Sequence, residues 1–324
     1  MNEIAIIGTG AYGLSVALSL LKKNKSIKMW VESEEKADYL NKNRNNPGIL
    51  PNITIPDTIE FSNDYEYVIK NSSIIFIAVA AKFVGPVAKE LSNLDIKDKH
   101  FCILSKGIEQ NTCEFVTDVF KRYIKSKKVA VISGPSFAID LASNQPIGLT
   151  IASKNKETIN FIRKVMQNDM LKLRSSNDLI GVELSGSIKN VIAIAAGILE
   201  GLGYAESTRS FLITESLHDI KNLIYGLGGK KKTILSFAGV GDLLLTATST
   251  KSRNYSYGIL IGQGKIKETE EYVKTNTVEG YYTLKSIHTL IRRRKIKMPI
   301  INLIYAIIFN NKDPFSLVDF LIKK

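Results

Sequence analysis

The sequence predicts an α/β protein in two parts: a doubly wound sheet over residues 1–178 and an all-helical domain over residues 179–324. Three observations carry this. Short, continuous apolar runs of strand length alternate with helical periods through the first half, as strands covered on both faces require. A glycine-rich turn stands between the first such strand and the first helix. Near Asp178 the rhythm changes, and long helical periods take over.

In order, Ile4–Ile7 reads as a strand, Ala11–Leu21 as a helix and Ile27–Val31 as a second strand. Asn41–Asn46 reads as a polar loop. Ile74–Val79 and Phe101–Leu104 are buried strands, and Val129–Ile132 and Gly148–Ala152 continue the βαβ series. Beyond Asp178 the helices are Val182–Gly201, Arg209–Leu227, Ile287–Arg294 and Ile300–Phe309, with turns at Gly226–Gly229, Gly239–Gly241 and Gly262–Gly264.

A chain of 324 residues, 44% hydrophobic, has enough apolar matter for two cores. The N-terminus does not read as a secretion signal. The longest apolar runs, Ile74–Ala81 and Ile300–Phe309, fall short of the roughly 20 residues a bilayer span needs. Cys102 and Cys113 show neither metal-ligand spacing nor a disulfide framework. The expectation is therefore a cytoplasmic protein, without membrane insertion and without a metal. The net charge of +13 raises the possibility of nucleic-acid binding, but only nine of the 44 basic residues are arginine, and the lysines are scattered. The short clusters Lys230–Lys232 and Arg292–Lys295 read as solvated faces, so no nucleic-acid partner is expected; the charge suits the steering of anionic substrates.

The turn after the first strand is Gly8-Thr9-Gly10-Ala11-Tyr12-Gly13, a G-x-G-x-x-G. Gly8 permits the tight turn, Gly10 lets the backbone approach a pyrophosphate, and Gly13 lets the helix pack on the strand. The helix N-terminus then offers free N–H groups to phosphate. Glu32 lies at the end of the second strand, where an acid accepts hydrogen bonds from an adenosine ribose and repels a 2′-phosphate; NADH is therefore favoured over NADPH. Glu34 and Glu35 follow closely, so an ordinary surface glutamate is the alternative.

Lys189 is the most informative charged residue. From Ile188 to Leu202 apolar residues surround the helix almost completely, and burial of an unpartnered ammonium there costs several kcal/mol. A lysine at the mouth of such a helix, followed by Asn190, reads as an acid–base group facing a cleft. The alternative is a lysine that snorkels out at the helix start.

Further stretches complete a pattern: Ser105-Lys106-Gly107-Ile108-Glu109, Ser133-Gly134-Pro135-Ser136-Phe137-Ala138, Gly181-Val182-Glu183-Leu184 ahead of Lys189-Asn190, Ala238-Gly239-Val240-Gly241-Asp242, Ser252-Arg253-Asn254 and Val278-Glu279-Gly280. In this order they resemble the NAD(P)-dependent glycerol-3-phosphate dehydrogenases of bacterial type, from Ile4 to about Leu321. The resemblance implies a Rossmann domain followed by a 6-phosphogluconate-dehydrogenase-like helical domain. It implies that Lys189 exchanges a proton with the C2 oxygen of the substrate and that Asp242 and Lys106 stand beside it. Substrate contacts would be Lys106, Gly134, Ser136, Lys189, Asp242, Ser252, Arg253 and Asn254. Cofactor contacts would be Gly8, Gly10, Ala11, Tyr12, Gly13, Glu32, Lys106, Ala138, Arg253 and Glu279.

The residues support these roles independently. A phosphate-bearing substrate suits an arginine fork flanked by hydroxyl and amide donors, as in Ser252-Arg253-Asn254. Reduction of a ketone places negative charge on oxygen, which a lysine stabilises and protonates. Blander alternatives are that Asp242 caps a helix starting at Leu243, that Ser133–Ser136 is an ordinary proline turn, and that Arg253 is a surface residue. The chain also departs from the family pattern. Tyr12 replaces a usual tryptophan or phenylalanine, Val31-Glu32 replaces a frequent glycine-arginine, and Glu215 and Tyr281 stand where arginine is common.

The resulting expectation is reduction of dihydroxyacetone phosphate to sn-glycerol 3-phosphate for phospholipid synthesis, in a homodimer. Reduction of another small phosphorylated or carboxylated carbonyl compound is the alternative, and a basic nucleic-acid-binding module without catalysis is the alternative from another class.

Overall fold

The computed structural model describes residues 3–110 and 112–323, in two compact units. One comprises Met1–Lys106 with Val116–Leu179, the other Gly107–Phe115 with Ile180–Lys324.

The first unit is built on eight strands: β1 (Glu3–Ile7), β2 (Ile27–Trp30), β3 (Ile59–Ser62), β4 (Ser72–Ile77), β5 (His100–Ile103), β6 (Val129–Ser133), β7 (Ile147–Ala152) and β8 (Leu171–Ser176). They stand in the order β3-β2-β1-β4-β5-β6-β7-β8. β1 pairs in parallel with both β2 (Ile4 opposite Ile27) and β4 (Ile4 opposite Ile74), so the winding reverses at β1. A reversal of this kind leaves a crevice at the carboxyl ends of the strands, and the Gly8–Gly13 turn opens there. The helices of this unit are α1 (Ala11–Leu20), α2 (Glu34–Asn43), α3 (Tyr65–Ile69), α4 (Val84–Leu91), α5 (Val116–Tyr123), α6 (Ala138–Ala142) and α7 (Lys156–Met166).

Two strands escape the sequence reading, and their position explains why. β3 and β8 are the outer strands, and their burial alternates along the chain, whereas β5 and β6 are buried at every residue. The expected continuation of the series at Gly148–Ala152 is correct as a strand, but β7 runs antiparallel to β6. Between them lies only the five-residue α6, in place of a full crossover helix. The polar loop expected at Asn41–Asn46 is in part helix. α2 continues to Asn43, and Arg44 ends it in the left-handed region at φ 50°. Asn41 is oriented by a backbone strand: its amide donates to Phe61 O and accepts from Phe61 N.

The second unit contains α8 (Leu179–Gly201), α9 (Glu206–Gly226), α10 (Asp242–Ala247), α11 (Arg253–Gly262), α12 (Ile266–Thr275), α13 (Glu279–Arg293), α14 (Pro299–Phe309) and α15 (Ser316–Lys323). α13 begins well before the Ile287 start read from the sequence. α8 is long and apolar enough to cross a bilayer, but 89% of its most apolar window is buried within the protein. Gly197 and Gly201 on α8 face Gly258 and Gly262 on α11 at backbone contact. A Cβ on Gly258 would lie 2.1 Å from Ile194 O, and one on Gly197 2.1 Å from Tyr255 O.

The segment Gly107–Phe115, placed with the sheet domain by the sequence reading, belongs to the helical unit. Ile108, Cys113 and Phe115 are buried in its core beside α8 and α9 residues, and Ser286 donates to Ile108 O.

Candidate active site

In the helical unit the chemistry converges on Lys189. Because α8 starts at Leu179, Lys189 lies inside the helix and not at its mouth. Its side chain is 11% exposed, which removes the snorkelling alternative. Its Nζ donates to Asp242 Oδ1 at 2.5 Å and to Thr246 Oγ1 at 2.9 Å. The Thr246 hydroxyl in turn donates to Asp242 O at 2.6 Å. Asp242 is 1% exposed and is the first residue of α10; Gly241 holds the cap position, so Asp242 is not an N-cap. A kinked turn, Phe237–Gly241, delivers it, with Gly239 at the kink outside helical dihedrals. Gly239 is required there, because a Cβ would overlap Ile234 O at 2.0 Å. A buried ion pair of this kind roughly balances its desolvation cost, so its presence is not explained by stability alone.

A second network starts at the neighbouring residue. Asn190 Nδ2 donates to Glu279 Oε2 at 3.3 Å, and Asn190 Oδ1 accepts from Asn254 Nδ2 at 3.0 Å. Asn254 Oδ1 accepts from Gly280 N at 2.8 Å. α8, α11 and the start of α13 are thereby tied together at buried amides. A side chain at 280 would stand 2.6 Å from Asn190 O. Ser252 caps α11, its hydroxyl accepting from Tyr255 N at 3.3 Å. Arg253 is exposed at the first position of that helix. Of the Ser252-Arg253-Asn254 run, two side chains are therefore engaged within the protein, and Arg253 is exposed.

The sheet unit carries the other expected residues. Gly8 adopts φ +111°, and a Cβ there would press on Ala78 O at 2.8 Å. A Cβ on Gly13 would meet Gly8 O at 2.4 Å, whereas Gly10 has open space around it. This is the division of labour a pyrophosphate cradle needs: two glycines for packing and one for access. Ala11 opens α1. Tyr12 and Ser136 share a hydrogen bond at 3.1 Å, Ser136 also donates to Gly134 O, and the Lys106 ammonium lies 5.8 Å from the Tyr12 ring centroid. Ala138 begins α6. Glu32 follows β2 and accepts from Lys36 Nζ at 2.6 Å. Partial burial pushes its carboxyl up, but the hydrogen bond and charge of Lys36, with a backbone hydrogen bond, hold it below the ordinary carboxylate value. These residues fit a dinucleotide.

The structure adds residues the sequence reading did not single out. Thr246 sits one helical turn after Asp242, an i,i+4 spacing visible in the sequence only once Asp242 is known to be helical. Lys36 pairs with Glu32 across the same spacing. Tyr281, one of the family departures, is packed against Tyr257, Tyr282 and Phe309. Among the described residues no three His, Cys, Asp or Glu side chains cluster as metal ligands.

Fold and site together define a two-domain dinucleotide-binding protein with a buried lysine–aspartate pair on its helical domain. Residues 3–159 match the family model for the NAD-dependent glycerol-3-phosphate dehydrogenase N-terminus, and residues 178–319 match the model for the C-terminus; the chain belongs to that family. An NAD(P)+ glycerol-3-phosphate dehydrogenase of Fusobacterium nucleatum subsp. nucleatum is 34% identical over 98% of this chain and 96% of its own length. One from Thermoanaerobacter sp. is 36% identical over 98% and 95%. The solved glycerol-3-phosphate dehydrogenase of Coxiella burnetii superposes with a TM-score of 0.93 at 30% identity, covering 100% of this chain and 99% of that one.

Proposed function

We propose that the protein interconverts dihydroxyacetone phosphate and sn-glycerol 3-phosphate with a nicotinamide cofactor, NADH in preference to NADPH. The buried Lys189–Asp242 pair, in a chain of this family, is the observation that carries the reading. Lys189 donates a proton to the C2 oxygen in the reducing direction and takes it back in the other. Its positive charge stabilises the oxyanion as it forms. Asp242 and Thr246 fix how the ammonium is turned, and Asp242 balances its charge. Arg253 binds the substrate phosphate, with Ser252 and Asn254 holding the start of α11 beneath it. Gly134, Ser136 and Lys106 complete the substrate contacts. Gly8, Gly10, Ala11, Tyr12, Gly13, Glu32, Lys106, Ala138, Arg253 and Glu279 hold the cofactor. The bound nicotinamide supplies the hydride that reaches C2.

The surrounding biology follows from this chemistry: a cytoplasmic enzyme that provides glycerol phosphate for phospholipids, with its positive charge steering anionic substrates and with no nucleic-acid partner. A homodimer is the assembly expected of it. The test is NADH and NADPH oxidation in the presence of dihydroxyacetone phosphate. Rapid NADH turnover with a weak NADPH rate is expected. No turnover with either, in a folded protein that binds dinucleotide, assigns the site to another small phosphorylated or carboxylated carbonyl compound.

A further inference from the structure

Glu32 does not stand alone at the end of β2. Lys36 Nζ lies 2.6 Å from its Oε1, and the two side chains are 35% and 61% exposed, lysine first. The peptide dipoles at the start of α2 do not favour that lysine, and its local partner is Glu32, four residues before it. Ser33 caps α2, and Lys36 follows Glu34 and Glu35 in the first turn, where peptide dipoles favour acids and disfavour cations. An exposed pair of this kind is held weakly and opens readily.

The geometry points to Lys36 as a second cofactor-selecting residue, acting with Glu32; this rests on the reading of Glu32 as the ribose-binding carboxylate. A lone Glu32 would set a full negative charge against a 2′-phosphate, which itself carries about −1.5 to −2. The Glu32–Lys36 pair sets a net charge near zero there. Toward a ribose diol, Glu32 accepts the hydroxyls while paired. Toward a 2′-phosphate, the pair opens, Glu32 turns to solvent and Lys36 becomes the counter-ion. The chain thus favours NADH without excluding NADPH, and Lys36 sets how far.

Trp30 is the only tryptophan, two residues before Glu32, with its ring stacked on Tyr65 at 4.3 Å. Its fluorescence reports ligand at this position without any turnover. ADP and 2′,5′-ADP are titrated into the wild type, Lys36→Gln, Glu32→Gln and the double variant, with melting curves to confirm folding. Lys36→Gln is expected to weaken 2′,5′-ADP about tenfold and ADP by less than about twofold. Glu32→Gln is expected to weaken ADP and to strengthen 2′,5′-ADP about tenfold, a gain that disappears in the double variant. If Lys36→Gln moves the two ligands equally while Glu32→Gln still separates them, the role of Lys36 is overturned and that of Glu32 stands. If Glu32→Gln separates neither, the ribose reading fails and the inference falls with it.

Discussion

Lys189 on α8 and Asp242 on α10, 53 residues apart in the chain, meet at 2.5 Å inside the helical unit with Asp242 only 1% exposed. Chemistry and stability are joined in this contact and can be separated by mutation. Lys189→Ala is expected to lower kcat at least ~10²-fold. It also strands a buried carboxylate, at a cost of about 3–5 kcal/mol. In the double variant with Asp242→Ala, the melting temperature recovers in part and turnover does not. Unchanged turnover in the single variant would sink the assignment of Lys189.

Arg253 offers the complementary experiment. The residue is exposed and its neighbours Ser252 and Asn254 are engaged elsewhere, so Arg253→Ala should leave the melting temperature unchanged. Loss of a charge-assisted contact worth about 1.5–3 kcal/mol predicts a KM for dihydroxyacetone phosphate raised roughly 10- to 100-fold. A steady-state comparison with an unphosphorylated ketone gives the control: equal losses on both substrates would place the arginine away from the phosphate.

The glycine turn separates packing from access. Gly10→Ala meets no atom within 4 Å, so the protein should fold with little change in melting temperature while dinucleotide affinity falls about tenfold or more. Gly13→Ala drives a Cβ to 2.4 Å from Gly8 O and should cost about 1–3 kcal/mol of stability as well. Calorimetric titration beside thermal melts distinguishes the two. Gly10→Ala binding dinucleotide as tightly as the wild type would contradict the cradle.

Acid should destabilise the fold through two imidazoles, His100 buried and His288 partly buried. Desolvation, aided by the charge of Lys128 and opposed by Glu157, holds His100 below its ordinary value of 6.5; its Nδ1 is 3.1 Å from Thr158 Oγ1 and its ring stacks on Phe161. Desolvation and Arg292 lower His288, which stacks on Tyr305. Between the lowered folded values and 6.5 the unfolded chain binds more protons than the folded one. Stability is therefore whole above about pH 6.5 and declines as the pH falls below it. Melting temperatures from pH 8 to pH 5 should show this slope, and His100→Gln should flatten it; a slope unchanged in that variant would remove His100 from the account.

The parts of the molecule with strong local signals were legible in the sequence. The central strands announced themselves because both faces are buried, and Gly8–Gly13 because its spacing has a mechanism. The outer strands β3 and β8 were lost because their half-exposed alternation is brief. Lys189 was singled out because a charge amid apolar residues is conspicuous, and Asp242 and Asn254 through the family resemblance; Thr246 was missed, and so were the bonds that join Lys189 to Asp242 and Asn190 to Asn254, since these are made by tertiary folding. The allegiance of Gly107–Phe115 was hidden for the same reason: an apolar segment does not declare which core it joins.

The glycine contact between α8 and α11 bears on evolution as much as on packing. Helices spaced by side chains drift when a leucine becomes a valine; helices spaced by carbonyl against Cα have no such slack. Lys189-Asn190 and Arg253-Asn254 ride on these two rods. The surrounding side chains are thus free to change while the interval between the two pairs stays the same. Its two ends are tied to four positions that accept no side chain at all.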